Sequence, residues 1–347
     1  MNGLLSMTEA GLHCPAGGFF VDPWQPVDRA LITHAHADHA RGGSRAYLGA
    51  APGLPLLRAR LPEDATIETI GYGEVRRIGD VDVSFHPAGH VLGSAQIRIA
   101  RGGRSIVVSG DYKLAPDPSC EAFEPVRCDT FVTESTFGLP IYRWKSPETL
   151  MREIAAWWQA NRDQGFASVV FAYALGKAQR IAAGLAALGD LPGPIACHGA
   201  VARINDAYRD AGVVLPPMAR VADAPASTDW RGTLVLAPPS AQGSAWLARF
   251  DPCRTAAASG WMAIRGTRRR ANLDRGFVLS DHADWPALND AVAASGASEV
   301  VVTHGYRDEL VRWLTETRPG LHAEALATRF EGEQGAAAPA EPGADGA

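Results

Sequence analysis

The chain has 347 residues, of which 46% are apolar and 20% are charged, and its formal net charge is −5. This composition excludes a disordered chain, a collagen-like repeat and a small domain held together by disulfides. The length exceeds one ordinary domain of about 150 residues, so we expect two lobes or one large α/β unit. The net charge by itself neither predicts nor excludes a nucleic-acid partner.

Membrane and export signals are missing from the sequence. The chain contains no run of about 18 apolar residues, and its first segment lacks a basic stretch followed by an apolar one. The cysteines, five in number, show no CxxC spacing and cannot all pair within one chain, which favours reduced thiols. We therefore expect a cytoplasmic protein that does not bind a membrane.

The predicted elements change in character along the chain. Short apolar strands separated by Gly/Pro turns are predicted first, at 18–21, 29–33, 81–86, 95–99, 105–109 and 130–133. Helices then alternate with strands, which indicates a parallel sheet covered on both faces. The helices are predicted at 147–161, 177–188 and 201–211, and the strands at 168–172, 195–197 and 233–237. Strand 277–280, helix 285–295, strand 299–303 and helix 308–317 follow.

These elements predict an α/β protein with an insertion. Its first part is predicted to span 1–138, the inserted α/β lobe 139–261, and the return segment 262–330. The last stretch, 331–347, is rich in Ala, Gly, Pro and Glu, and we predict a disordered tail there because it cannot bury enough apolar surface.

The strongest local signal is the run Thr33-His34-Ala35-His36-Ala37-Asp38-His39 at the end of a predicted strand. Imidazoles and a carboxylate this close together are costly to bury unless a metal ion offsets their lost hydration. Zinc accepts both types of ligand. On a loop that leaves a strand, His34 and His36 can face one way while Asp38 and His39 face the other, which predicts half-sites for two ions.

Further ligand candidates follow apolar strands beside a glycine. They are His90 in the segment PAGHVLGS, Asp111 in VVSGD and His304 in VVTHG. Asp111 can bridge two ions with its two oxygens. The predicted arrangement therefore has His34, His36 and His90 on one metal and Asp38, His39 and His304 on the other. Such nitrogen and oxygen ligands also accept Mn²⁺ or Fe²⁺, so zinc is not the sole candidate.

These residues resemble the metallo-β-lactamase fold and, within it, the β-CASP nucleases, which cut phosphodiester bonds of nucleic acids. The segment TESTFG, 133–138, resembles the acidic motif A of that family. SDHAD, 280–284, resembles motif B, and His304 resembles motif C. ALGKAQ, 174–179, is similar to the first strand–helix joint of the β-CASP insertion. Segments 14–19, 22–24 and 127–129 are similar to bacterial exonucleases grouped as DNA ligase-associated.

The resemblance implies a fold and a set of residue roles. The fold is a metallo-β-lactamase αββα sandwich with an inserted, reduced β-CASP lobe, and the cofactors are two zinc ions. His282, polarised by Glu134 or Asp284, is the implied general acid. Asp22 is implied to support the ligands from behind. The residues assigned to catalysis are Asp38, Asp111, Glu134 and His282.

The resemblance leaves the substrate open between related alternatives. It implies a DNA exonuclease that acts in repair with an ATP-dependent DNA ligase and a helicase. A histidine such as His304 is typical of RNA-processing members of the family, so an RNA-processing nuclease is the alternative. A small-molecule metallo-hydrolase is a more distant one.

Candidate nucleic-acid contacts lie outside these motifs. The arginines before motif B can follow a phosphate backbone, or they can form a solvated loop; they include Arg265, Arg268, Arg269 and Arg270. Ser240 and Ser244 lie in a loop that can present amides and hydroxyls to a terminal phosphate, or that is an ordinary connection. Lys177 lies in the strand–helix joint of the insertion and is the remaining candidate.

Overall fold

The computed structural model describes residues 1, 3–270 and 272–328, without the side chains of Arg268 and Arg270. The tail predicted at 331–347 therefore lies outside the described residues. The chain divides into two compact units. The first unit contains Met1–Pro116, Cys120–Arg143 and residues 281–328, and the second contains Asp117–Ser119 and Trp144–Ser280.

The secondary structure alternates as the sequence predicts, with additional short strands. The elements up to residue 134 are β1 (Ser6–Thr8), β2 (Gly11–Cys14), β3 (Phe19–Val21), β4 (Arg29–Leu31), β5 (Ala46–Ala50), α1 (Leu54–Arg60), β6 (Ile67–Ile70), β7 (Val75–Ile78), β8 (Val81–Pro87), β9 (Ala95–Arg101), β10 (Arg104–Val108) and β11 (Thr130–Glu134). Those of the second unit are α2 (Pro147–Asp163), β12 (Ala167–Phe171), α3 (Lys177–Ala186), β13 (Ile195–Cys197), α4 (Gly199–Asp210), β14 (Met218–Arg220), β15 (Leu234–Ala237), β16 (Cys253–Ala258), α5 (Arg265–Arg270) and β17 (Arg275–Phe277). The chain then forms α6 (Trp285–Ser295), β18 (Glu299–Thr303), α7 (Arg307–Thr317) and β19 (His322–Ala325). In the part of the chain that the structure describes, no helix is long and apolar enough to cross a bilayer.

The first unit contains two sheets that share a core. One sheet has the order β1-β2-β3-β4-β5-β6 and the other β19-β18-β11-β10-β9-β8-β7. Alternating side chains of a strand point to opposite faces of its sheet. On β10, Ile106 therefore packs in the core that contains Leu31 and Leu48 of the first sheet, whereas Val107 packs in a second core with Leu288 of α6 and Leu310 of α7. This layering of two sheets and outer helices confirms the predicted α/β fold class.

The second unit is built on one parallel sheet with the order β14-β13-β15-β12-β16-β17. Its central strand, β12, is buried along its whole length, as expected for a parallel strand covered on both faces. Val170 packs with Ile154 of α2 and Ile181 of α3, while Val169 packs in a separate cluster with Phe250. The predicted alternation of strands and helices is present in this unit.

The far end of this sheet includes a strand beyond the predicted end of the insertion. The sequence predicts that the insertion ends at residue 261, and β17 pairs with β16 through Ala258 and Phe277. The sequence of β16, CRTAAA, favours a strand only weakly, because it is half alanine, has no aromatic residue and contains Thr255 as its single β-branched residue. Its pairing with β12 places it in the sheet, which shows that tertiary contacts outweigh its weak propensity.

In the first unit, the parallel strands of the sheet β19-β18-β11-β10-β9-β8-β7 determine where the predicted ligands and catalytic residues lie. β10, β11 and β18 run parallel and are neighbours, so their carboxyl ends meet at one edge of the sheet. Asp111 follows β10, Glu134 ends β11 and His304 follows β18. The fold thus brings together residues that are far apart in the sequence.

Candidate metal centre

Three histidines and one aspartate form a compact cluster in the first unit. Nδ1 of His36 lies 3.1 Å from Nε2 of His34 and 3.1 Å from Nε2 of His90. Oδ2 of Asp111 lies 3.6 Å from Nε2 of His34 and 3.9 Å from Nε2 of His90. One donor atom from each of these residues lies within 4.8 Å of all the others. The cluster joins the carboxyl ends of two strands to the loop that carries His90.

The spacing and protonation of this cluster fit a metal ion. Tetrahedral zinc with bonds of about 2.0–2.1 Å places neighbouring ligand atoms about 3.3 Å apart, close to the spacing of these imidazole nitrogens. Burial and the neighbouring imidazoles lower the pKa of His34 and of His90 well below the usual histidine value. Both rings are therefore neutral near pH 7, and a neutral imidazole is the form that binds metal.

A second group of ligands adjoins the first through Asp111. Nε2 of His39 lies 3.4 Å from Oδ2 of Asp111 and 3.7 Å from Oδ2 of Asp38. The His39 and His304 rings have centroids 6.0 Å apart, and a cavity of about 50 Å³ is lined by Asp38, His39 and His304. Although burial opposes it, the nearby carboxylates of Asp111, Asp38 and Asp22 raise the pKa of His39 well above its usual value. These carboxylates therefore favour a cation at this position, either a proton on His39 or a metal ion.

Asp22 connects this second group to the strand that precedes it. Its Oδ2 accepts a hydrogen bond from Nδ1 of His39 at 2.7 Å, which leaves Nε2 of that ring facing Asp111. The same carboxylate accepts hydrogen bonds from the backbone N–H of Thr33 at 2.8 Å and from its hydroxyl at 2.6 Å. Asp22 thus holds both the orientation of His39 and the start of the ligand loop.

Positive φ angles mark two of these residues. Asp22 has φ 44° and His304 has φ 52°, and they are two of the three non-glycine residues with positive φ in the described chain. A side chain in this region costs on the order of 1–3 kcal/mol and persists only where the surroundings enforce it. Two of the three such positions in the described chain therefore lie at the candidate centre.

His282 and Glu134 form a buried pair beside the cluster. Nδ1 of His282 donates to Oε2 of Glu134 at 2.9 Å, and the His282 ring lies 4.7 Å from the His90 ring between centroids. Burial opposes the charged ring, but the carboxylates of Glu134 and Asp111 raise the pKa of His282 to about 10. The ring is therefore an imidazolium near pH 7. Asp284 accepts a hydrogen bond from the backbone N–H of Ala287 at the start of α6.

Asp281 and Ser94 hold His90 in position, although the sequence-based predictions do not include this role for them. The main-chain carbonyl of Asp281 accepts a hydrogen bond from Nδ1 of His90 at 2.9 Å, so Nε2 faces the cluster. The hydroxyl of Ser94 accepts from the backbone N–H groups of His90 and Val91 at 3.0 and 3.2 Å. Asp281 lies next to His282 in the motif SDHAD, and Ser94 lies four residues after His90 in GHVLGS. Their position within these motifs is the signal in the sequence that could indicate their role.

Glycines next to the ligands allow close approach of the backbone. A Cβ on Gly110 would lie 2.7 Å from Cβ of Thr33, and a Cβ on Gly305 would lie 2.2 Å from the carbonyl oxygen of Ser135. Both glycines also have positive φ, 56° and 66°. Only glycine fits these positions without displacement of Asp111 or His304, their neighbours in the chain.

The structure thus brings together all the residues predicted as metal ligands or as catalytic groups. His34, His36, His90 and Asp111 form one group, and Asp38, His39 and His304 surround the small cavity beside it. Glu134 and His282 form a hydrogen-bonded pair next to the first group. Asp22 accepts a hydrogen bond from His39, and Asp284 caps α6.

The candidate nucleic-acid contacts belong to the second unit. Arg265 and Arg269 are exposed on the short helix α5, while the side chains of Arg268 and Arg270 lie outside the described residues. Ser240 is exposed after β15, and the hydroxyl of Ser244 donates to the carbonyl of Ala241 at 2.8 Å. Lys177 is buried, with its ammonium 4.3 Å from the centre of the Tyr173 ring. Their contact with nucleic acid remains a prediction.

Comparison with known proteins identifies one relative over most of the chain and others over about half of it. A protein named "Probable DNA ligase" from Opitutus terrae is 31% identical over 318 residues, which are 91% of this chain and 30% of that protein. A ribonuclease from Thermus thermophilus is 31% identical over 50% of this chain and 45% of its own length. An RNase J-like protein from Methanocaldococcus jannaschii is 26% identical over 45% of this chain and 42% of its own. The chain spans less than half the length of each of these relatives.

A solved structure shows the same fold. A protein of unknown function from Enterococcus faecalis superposes with a TM-score of 0.59 at 12% identity, over 88% of this chain and 80% of that one. No family model matches the chain. Its relatives nevertheless support the family that its motifs predict, the metallo-β-lactamase/β-CASP nucleases.

Proposed function

We propose that this chain is a metal-dependent nuclease that hydrolyses phosphodiester bonds, and that it acts as a DNA exonuclease in repair beside a ligase. The names of its ribonuclease relatives support phosphodiester hydrolysis. The relative named as a ligase supports DNA, since its similarity runs through 91% of this chain. A cytoplasmic location and association with an ATP-dependent ligase and a helicase belong to the same proposal.

The observation that carries this proposal is a buried proton donor next to a cluster of metal ligands. His282 lies beside His90, one of four residues whose donor atoms converge. Two zinc ions held by the two ligand groups would activate a water molecule and stabilise the negative charge of a phosphate. The donor atoms are nitrogen and oxygen, so Mn²⁺ and Fe²⁺ are further candidates.

The residues of the chain have separable tasks in this proposal. Asp22 and the carbonyl of Asp281 orient two ligand histidines through their Nδ1 atoms. Asp38 and Asp111 supply negative charge to the second group of ligands. Glu134 fixes His282 through Nδ1, so a proton on Nε2 is available to the oxygen that leaves phosphorus.

RNA is the second candidate substrate, and specific observations favour it. Two of the relatives carry ribonuclease names. The motif C position is also a histidine, His304, next to the small cavity that Asp38 and His39 line. A metal centre of this kind acts on the phosphate and does not by itself distinguish the two sugars.

The test uses single strands of identical base sequence, one of DNA and one of RNA, each labelled at one end or the other. The purified zinc-loaded protein is incubated with every strand, and Asp111→Ala serves as the inactive control. Stepwise loss of nucleotides from one end of the DNA is the expected result. Preferential cleavage of RNA would replace the DNA proposal with the RNA one, and cleavage of neither would end the nuclease proposal.

A further inference from the structure

A short segment after motif A presents an apolar and a cationic side chain to solvent. Ile141 is 67% exposed, which is unusual for a large aliphatic residue, and Arg143 is exposed as well. Tyr142 between them is fully buried. Ile141 and Arg143 are therefore both open to solvent, while the buried Tyr142 between them anchors the segment.

The anchor connects this segment to the candidate general acid. The Tyr142 ring packs edge-on against the Phe137 ring with centroids 4.9 Å apart, and Phe137 packs in the same way against His282 at 6.0 Å. Ile141 and Arg143 are the chain neighbours of Tyr142, and the Phe137 ring lies between Tyr142 and His282. A chain of buried contacts defines their position relative to the reacting centre.

Hydrogen bonds on both sides hold the segment in place. The Tyr142 hydroxyl lies 3.2 Å from the Tyr306 hydroxyl, on the segment that follows His304. The Tyr142 carbonyl accepts a hydrogen bond from the backbone N–H of Trp285 at 3.2 Å. The backbone N–H of Tyr142 donates to the carbonyl of Leu139 at 3.0 Å. The segment is thus tied to the residues after motif B and after motif C. A contact made by its exposed side chains would need little further ordering.

The two exposed side chains match a nucleic-acid strand. Among residues 1, 3–270 and 272–328, no ion pair engages Arg143, so its guanidinium is available to a phosphate. Ile141 offers an aliphatic surface of the size of a sugar or base face. A strand presents both features in alternation, a charged phosphate and an apolar nucleoside. A single aliphatic residue is too small an apolar patch for a stable protein interface.

We propose that Ile141 and Arg143 form a substrate-holding contact, in which Arg143 binds a backbone phosphate near the scissile bond and Ile141 packs against the adjoining nucleoside. This contact rests on the proposed nuclease function and adds to it a residue pair outside the metal and acid motifs. It binds a strand and does not take part in the bond-breaking step. Hydrolysis of a substrate that is too small to reach Ile141 and Arg143 therefore does not depend on this contact.

The test compares two variants with two matched controls. Ile141→Ala and Arg143→Gln remove the contact. Val75→Ala changes another exposed aliphatic residue, 63% exposed on β7, and Arg104→Gln changes an exposed arginine at the start of β10, the end away from Asp111. Each protein is assayed for cleavage of a single-stranded oligonucleotide and of bis(p-nitrophenyl) phosphate. Binding of a fluorescent oligonucleotide is measured by anisotropy on the same samples.

The expected results separate this contact from the metal centre. Ile141→Ala raises KM for the oligonucleotide about fivefold with little change in kcat. A rise of this size is expected when a partly buried aliphatic side chain no longer contributes its apolar contact to binding. Arg143→Gln weakens binding and lowers the slope of log affinity against log salt by about 0.7, as loss of one phosphate contact on a single strand requires. Hydrolysis of bis(p-nitrophenyl) phosphate is unchanged, and both controls behave as the wild type.

Other outcomes identify which proposal fails. Oligonucleotide binding and KM equal to those of the controls would overturn the Ile141–Arg143 contact, while the nuclease proposal would stand. A wild-type protein that hydrolyses neither substrate would overturn the nuclease proposal, and the anisotropy data would still decide whether these two residues bind a strand.

Discussion

Nδ1 of His282 lies 2.9 Å from Oε2 of Glu134, and both side chains are buried. Glu134 is itself fixed, because Oε1 accepts the backbone N–H of Tyr112 at 2.9 Å and Oε2 accepts the hydroxyl of Thr136 at 2.5 Å. Burial raises the pKa of Glu134. The carboxylates of Glu134 and Asp111 raise the pKa of His282 to about 10 despite the burial of the ring, and Glu134 contributes most to this rise. The position of the candidate acid therefore depends on Glu134, and its protonation depends chiefly on the same carboxylate.

Glu134→Gln should move the alkaline limb of the pH–rate profile to lower pH. The amide can still accept a hydrogen bond but removes the negative charge that raises the pKa of His282. The proton is then lost at lower pH, so the rate of nucleic-acid cleavage falls earlier as pH rises. The measurement is kcat against pH for both proteins.

Glu124→Gln is the matched control for that profile. Oε1 of Glu124 lies 3.1 Å from Nδ1 of His86, so the same change is made at another Glu–His pair of the first unit. We expect its profile to match that of the wild type. If Glu134→Gln also kept the wild-type profile, His282 would not be the group that titrates in the reaction.

Asp22→Asn should weaken metal binding at the second group of ligands. The amide nitrogen cannot accept the Nδ1–H of His39, so this ring loses the partner that directs Nε2 toward Asp111. Loss of such a supporting partner typically costs about 10–100-fold in metal affinity. Metal titration of the apoprotein measures the change.

Asp129→Asn separates this effect from loss of stability. Asp129 accepts the backbone N–H and hydroxyl of Ser105 at 2.7 and 2.9 Å, just as Asp22 accepts those of Thr33. Both variants should lower the melting temperature, and only Asp22→Asn should release metal. Equal metal affinity in the two variants would assign Asp22 a purely structural role.

Gly305→Ala should both destabilise the first unit and disturb His304. Its Cβ would lie 2.2 Å from the carbonyl oxygen of Ser135, and φ is 66°. Gly18→Ala has nearly the same φ, 63°, but its Cβ would meet nothing within 4 Å. We expect Gly18→Ala to cost about 1 kcal/mol in the free energy of unfolding and Gly305→Ala clearly more, with reduced metal content. Equal melting temperatures and metal contents would refute the need for close approach at Gly305.

Much of this centre could be predicted because its ligands have strong local signals. His34, His36, Asp38 and His39 stand in one run, and His90, Asp111 and His304 each follow an apolar strand beside glycine. The parallel neighbours β10, β11 and β18 then bring distant ligands to one sheet edge, as strand–loop patterns of this type indicate.

The remaining features depend on contacts that no local pattern encodes. The support of His90 by the carbonyl of Asp281 joins residues 191 positions apart in the sequence. Burial of Lys177 against Tyr173 depends on the packing of α3, so an apparent surface cation became an interior one. The alanine-rich strand β16 is held in the sheet by its pairing with β12 and β17. Such features follow from tertiary context and not from the composition of a segment.

Metal content and cleavage, measured together on the wild type, Asp111→Ala and His282→Ala, test the central claim most directly. The two ligand groups predict two ions per wild-type chain. Asp111→Ala should lose metal and all cleavage, because its Oδ2 lies near ligands of both groups. His282→Ala should keep its metal and lose about 10²–10⁴-fold in rate, the usual contribution of a general acid. Equal metal loss in the two variants, or full activity of either, would contradict this assignment of ligands and acid.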